Sequence, residues 1–210
     1  MKKELGVLIR TIFEKGGYTE EGRKALDALP QHGDAAVDAM IAAVKKPPKS
    51  NLHPRDLMDT IGAAFHILAR HSSDRLIDRI EESAIDGFCV YSALRNAKGR
   101  RSLQVLLKGL RHKNQYVRWV SASAVIHRRS RSAIPLLYEM LGDRSWLVQC
   151  EIVFAMKKRM WLRRPEALPL LLRLRANKLV QKSSVGTWRA AQEVIELIEA
   201  ENVGHSATKL

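Results

Sequence analysis

Arg128, Arg129 and Arg131 stand between two apolar runs in "AVIHRRSRSAIPLL", residues 124 to 137. Arginines at that spacing can bind anions, because each guanidinium stays charged and offers a fork of N–H donors that fits carboxylate or phosphate oxygens. Upstream lie Arg95, Lys98, Arg100 and Arg101; downstream lie Lys157, Lys158, Arg159, Arg163 and Arg164. Aromatic residues are interleaved with these cations. Tyr116, Trp119 and Trp161 are candidate stacking surfaces should the anion be a nucleic acid. Of these, Trp161 in "KKRMWLRRP" is the best placed for an exposed platform, whereas Trp146 and Trp188 read as core.

Catalytic and metal chemistry finds no comparable signal. The chain has no GxGxxG, GxxxxGK[ST], HExxH, GxSxG or CxxC, which removes the common dinucleotide, phosphate-loop, zinc-hydrolase and redox signatures. Its seven His are scattered. His66 and Arg70 share a helix face, and His66 reads as a core residue rather than a base. Asp78, Glu81, Glu82 and Asp86 in "DRIEESAID" read as a helix end entering a loop. Cys89 and Cys150 lie in apolar helical stretches and read as buried, reduced thiols. The expectation is a chain without catalytic residues, metal, cofactor or small-molecule substrate.

Charge is divided unevenly along the sequence. Residues 1 to 90 carry 13 Lys/Arg against 14 Asp/Glu, and residues 91 to 210 carry 23 against 8, so the net +14 belongs to the second half. Between Gly87 and Tyr138 there is no acidic residue. A surface selected only for solubility intersperses its signs, so this bias points to an anionic partner, either a nucleic acid or an acidic protein. No apolar run reaches the roughly 20 residues of a membrane span. "MKKELGVLIRTIFEKGG" is interrupted by Glu4, Arg10 and Glu14, which makes it a capping helix rather than a signal peptide. A cytoplasmic, monomeric protein is expected.

The elements that must hold the cations follow from periodicity. Leu76, Ile77 and Ile80 recur 30 residues later as Leu106, Leu107 and Leu110, and again as Leu136, Leu137 and Met140. Each unit reads as two helical apolar segments separated by polar turns, without the alternation of strands. A cap helix near 3–15 should precede helix pairs near 19–46, 54–82, 85–111, 115–142 and 145–177. A closing helix is expected over 182–203. Three prolines in "KKPPKSNLHP" make the longest loop, and Pro30, Pro135, Pro165 and Pro169 sit where helices start. The basic clusters then fall at one address, the turn inside each pair. Helices packed about 8 to 10 Å apart would align three such turns as a ridge.

"LRHKNQYVRWVSASAVIHRRSRSAIPLL" resembles a short HEAT-repeat unit of the kind first described in phycobilisome lyases. The likeness lies in Val117-Arg118 opening the first helix, the small residues Ala122 and Ala124, and Ala133-Ile134-Pro135-Leu136-Leu137 opening the second. Where the family often places Asp before the first helix this chain has His112 and Lys113; Asp143 fills the comparable place one unit later. The resemblance implies an all-α solenoid over 1–210 in about five HEAT-like pairs: a cap and first pair to residue 50, core repeats over 54–177 and a cap helix at 182–203. It implies a non-catalytic binding module. Two alternatives share the fold. One is a protein-protein scaffold, adaptor or immunity protein that clamps an acidic partner. The other is a HEAT-like alkylpurine DNA glycosylase, to whose Asp/Trp-bearing helix starts Asp143 and Trp146 in "GDRSWLVQ" are similar, although Val148-Gln149 replaces the Arg pair that would follow.

Overall fold

Helical spacing of apolar residues builds every element of this chain. The computed structural model describes residues 2–82, 85, 87–97 and 99–207, and among them there is no strand. Two compact units emerge, Met1–Gly109 and Leu110–Leu210.

In the first unit, α1 (Lys2–Lys15) buries Ile12 and Phe13, and α2 (Glu20–Ala28) starts at a Thr19 cap whose hydroxyl accepts the Gly22 N–H. A 3-10 turn over Leu29–His32, carrying Pro30, leads into α3 (Gly33–Lys45). The stretch from 46 to 53 is non-helical, as Pro47 and Pro48 require, and Pro54 opens the next helix. Two pairs follow: α4 (Pro54–His71) with α5 (Ser73–Glu81), and α6 (Phe88–Ala93) with α7 (Arg100–Gly109). First helices pack on first helices, α4 against α6, and second helices on second, α3 against α5 and α5 against α7. This is stacking of the solenoid kind, in which each pair buries its apolar faces only against its neighbours. Leu76, Ile77, Ile80, Leu106 and Leu110 are buried, so the 30-residue recurrence marks core positions.

An ion-pair clasp ties two layers of that unit. On α3, the Asp38 carboxylate accepts hydrogen bonds from Arg79 Nε (2.7 Å) and from Arg75 Nη2 (2.6 Å) on α5. Those bonds hold its pKa down at about 2, against an ordinary value of about 3.9. A carboxylate depressed in the folded state stabilises above its unfolded pKa and loses that contribution as pH falls through the folded one. Urea midpoints of the wild type should therefore fall between about pH 4 and 2 more steeply than those of Asp38→Asn. Parallel curves would remove the clasp from the account.

In the second unit, Asn114 caps α8 (Gln115–His127), its Oδ1 accepting the Tyr116 N–H at 2.9 Å. A 3-10 turn over Arg131–Ala133 opens α9 (Ile134–Glu139), with Pro135 in its first turn. Then come α10 (Trp146–Lys158), 3-10 turns over Met160–Leu162 and Pro165–Ala167, and α11 (Leu168–Ala176). Stacking continues, with α8 on α10 and α10 on α13 (Val185–Ala207), and α13 also packs on α11. The closing helix differs from the single element expected, because α12 (Lys178–Ser183) precedes α13 as a separate short helix. Cys89 is buried as expected, which pushes its thiol pKa up to about 11, whereas Cys150 is only half-buried.

Candidate anion-binding site

The turn after α8 is a glycine-type helix stop built around an arginine. Ser130 N–H donates to the Val125 carbonyl (3.4 Å) and Arg129 N–H to the Ile126 carbonyl (3.1 Å), the 6→1 and 5→2 pair that closes a Schellman motif. The residue between those bonds must take the left-handed conformation, and Arg129 does so at φ 52°. A side chain there costs roughly 1–2 kcal/mol, which glycine would avoid. Arg129→Gly should raise stability by about 0.5–1 kcal/mol, since glycine's extra unfolded-state entropy offsets part of the relief. A chemical-denaturation midpoint at or below that of wild type would show that the turn carries no strain.

One pair later the cations divide into two groups. Arg163 is a brace: its Nη1 donates to the carbonyls of Met156 (3.3 Å) and Lys157 (3.1 Å) at the end of α10, and its Nη2 reaches Glu201 on α13 at 2.6 Å. Lys157 pairs with Glu193 on α13. Lys158, Arg159 and Arg164 have no carboxylate within ion-pair distance among the described residues, and neither do Arg129 and Arg131. Arg128 is half-buried, and burial lowers its pKa. In the first unit, Arg101 is neutralised by Asp78 and Glu81, both at 2.6 Å, while Arg95 and Arg100 are exposed. Lys98 and Asp86 lie outside the described residues.

Between the two turns of the second unit is a notch of about 360 Å³. Arg131 and Ser132 come from one turn and Arg164 and Glu166 from the other, over a floor of Pro135 and Tyr138. Tyr138 fixes their separation, because its hydroxyl donates to the Leu162 carbonyl at 2.9 Å, in the second turn. Burial pushes that phenol up to about 12, so it remains a donor throughout the physiological range. Arg131 and Arg164 thus line one notch from opposite turns, beside the Glu166 carboxylate. Nothing in the sequence singled out Tyr138 or Glu166; what could have found Tyr138 is its position three residues past Pro135 on a buried helix.

The aromatic residues are placed differently from expectation. Trp119 is half-buried and donates its Nε1–H to Glu151 at 3.0 Å. Trp161 is half-buried too, its Nε1 enclosed without a partner, because the Met160–Leu162 turn folds its ring edge against the protein. Tyr116 is 51% exposed. Trp188 is half-buried and donates to the Arg175 carbonyl, with the Arg175 guanidinium 5.9 Å from its ring centre. Trp146, read as core, is 52% exposed. As the first residue of α10, its side chain falls off the packed face.

The strongest interaction of this region lies beneath the surface. Arg118 on α8 grips Asp143 through two parallel bonds, Nε to Oδ2 at 2.7 Å and Nη2 to Oδ1 at 2.8 Å, with both side chains almost fully enclosed. Arg118 Nη1 also donates to the carbonyls of His112 (2.8 Å) and Lys113 (3.0 Å). Backbone oxygens thus supply what an Asp would supply in that turn. An Arg and an Asp joined across successive helix pairs, above a 30-residue recurrence, is a repeat-linking rung. Residues 103–185 match the family model described as HEAT repeats. These residues are HEAT repeats. The fold class is accordingly all-α, with HEAT-like pairs stacked as in a solenoid within each unit. No curated protein matches the chain. Among solved structures, an engineered protein from the Northeast Structural Genomics Consortium shares 13% identity with it at a TM-score of 0.42, covering 94% of this chain and 97% of that one. Helical HEAT scaffolds serve protein binding. Among the described residues no helix is long and apolar enough to cross a membrane, and no cluster of His, Cys, Asp and Glu is arranged to hold a metal.

Proposed function

We propose that this HEAT-repeat chain is a non-catalytic binding module, cytoplasmic and monomeric, that holds an acidic protein through the basic turns of its second unit. One observation carries the reading: among the described residues, Arg129, Arg131, Lys158, Arg159 and Arg164 are left without carboxylate partners in a chain that pairs so many of its other arginines. The two turns line one notch, and charges within a Debye length of one another, about 8 Å at physiological salt, reinforce their potentials. Such a rim steers an anionic surface into contact and sets the rate of association more than its final strength.

Protein is favoured over nucleic acid by the aromatics. Trp119 and Trp161 are half-buried with their indole nitrogens turned inward, and Tyr116, although exposed, stands at the start of α8, a helix length from the turn that carries Arg129 and Arg131, so none of the three offers bases a stacking platform beside the basic turns. The notch instead offers the Pro135 and Tyr138 surfaces between its arginines. The glycosylase alternative needs an Asp143 carboxylate facing a substrate, and Arg118 occupies both its oxygens.

Immobilised protein exposed to cell lysate tests this directly. The bound material should be protein, retained after nuclease digestion and released by raised salt. Complete loss of bound material on nuclease treatment would assign the basic turns to nucleic acid.

A further inference from the structure

The opposite end of α10 from the basic turns, about 20 Å away along a 13-residue helix, holds a larger cleft that the reading above does not use. It has a volume of about 500 Å³, with Trp146, Leu170 and Leu174 among its apolar walls and Arg144 and Arg173 at its margin. The N-terminal turn of α10 contributes a third kind of wall. Gln149 is 8% exposed; its Nε2 donates to the Asp143 carbonyl at 2.7 Å, which orients the amide, and its Oε1 has no hydrogen-bond partner among the described residues. A buried acceptor left unmatched costs about 1–3 kcal/mol; Oε1 is enclosed, so the side chains that cover it must part before a ligand can donate to it and recover that amount. Ser145, beside it at the helix start, has an unmatched hydroxyl of the same kind.

We infer that this cleft binds an extended acidic peptide segment, with one aliphatic side chain in the pocket, a main-chain N–H on Gln149 Oε1 and a flanking carboxylate on Arg173 or Arg144. Each feature selects against the other candidates. The Leu170 and Leu174 wall takes an aliphatic group, and Trp146, half out in solvent, lines the same cleft. Aromatic and Arg anchors of this kind carry a disproportionate share of protein-binding energy. The charge is one-sided, because Arg118 cancels Asp143 and Arg173 has no carboxylate partner among the described residues. An amide oxygen oriented by its own nitrogen accepts from a backbone N–H as readily as a strand edge does. A phosphate would satisfy the arginines and leave both the aliphatic wall and Gln149 unused. This inference is independent of the role assigned to the basic turns.

The test is a nuclear magnetic resonance titration of the full ¹⁵N-labelled chain, following the Trp146 indole signal, which Trp146→Phe identifies. The probe is a blocked ten-residue peptide with a single central Leu flanked by Glu and Asp. The Trp146 signal should move saturably, Arg173→Glu should weaken binding about tenfold or more, and Leu170→Asp should abolish it. Neutralising Arg129, Arg131 and Arg164 should change the affinity less than about threefold, which separates this cleft from the basic turns. A Trp146 signal unmoved at about 2 mM peptide, an equal response to the same peptide with Lys for its acidic residues, or a response to oligothymidylate alone would overturn the inference.

Discussion

Arg118→Met should cost the second unit about 3–5 kcal/mol, the usual penalty for stranding one partner of an enclosed ion pair. Methionine keeps most of the arginine stem, so the loss isolates the guanidinium. Four hydrogen bonds disappear with it: two to Asp143, and one each to the carbonyls of His112 and Lys113. The carboxylate left behind cannot simply turn outward, because Asp143 Oδ1 also accepts the Ser145 N–H at 2.7 Å and so orders the start of α10. A small domain is stable by only about 5–15 kcal/mol, so this one change should consume a large part of the margin. Urea unfolding followed by circular dichroism would read it as a lowered midpoint. Removing both partners, Arg118→Met with Asp143→Leu, should recover part of the loss, since no charge is then buried alone. A single variant within about 1 kcal/mol of wild type would mean that the rung is solvated and does not join the pairs.

The architecture was legible because it rests on periodicity, which one residue cannot hide. Leu106 and Leu137 are buried where the 30-residue recurrence puts them, and the prolines stand at element starts. The rung was half visible: Arg118 and Asp143 were each recognisable, but nothing in the sequence says that carbonyls of His112 and Lys113 fill in for a missing Asp. The site was less legible, for a physical reason. Whether a surface cation is free depends on which acidic residues the fold brings near it, and those lie far along the chain. Arg163 and Lys157 read as members of the stripe until α13 delivers Glu201 and Glu193 to them. Arg101 likewise meets Asp78 and Glu81 from the preceding pair. Trp146 was misplaced because the first residue of a helix need not follow the apolar stripe of the rest.

Neutralising Arg129, Arg131 and Arg164 together should weaken binding of an acidic polypeptide by about 30- to 300-fold at low salt, counting roughly 0.7–1.1 kcal/mol for each lost rim contact. The fold should persist, because each side chain is exposed and, among the described residues, none braces another element. Arg163 and Lys157 are left in place for that reason. Added salt should narrow the difference between variant and wild type, because the lost contacts are the screened ones.

The most direct measurement compares that variant with one of equal net charge. Lys3, Arg10 and Lys46 are exposed in the first unit and are likewise changed to Gln, and both proteins are titrated with fluorescein-labelled polyglutamate by anisotropy. Position decides the result if the basic turns are the site: the Arg129/Arg131/Arg164 variant loses most of its affinity, and the Lys3/Arg10/Lys46 variant stays within about threefold of wild type. Equal losses from the two variants would contradict the account, since net charge alone would then attract the anion and the turns would be an ordinary solvated edge.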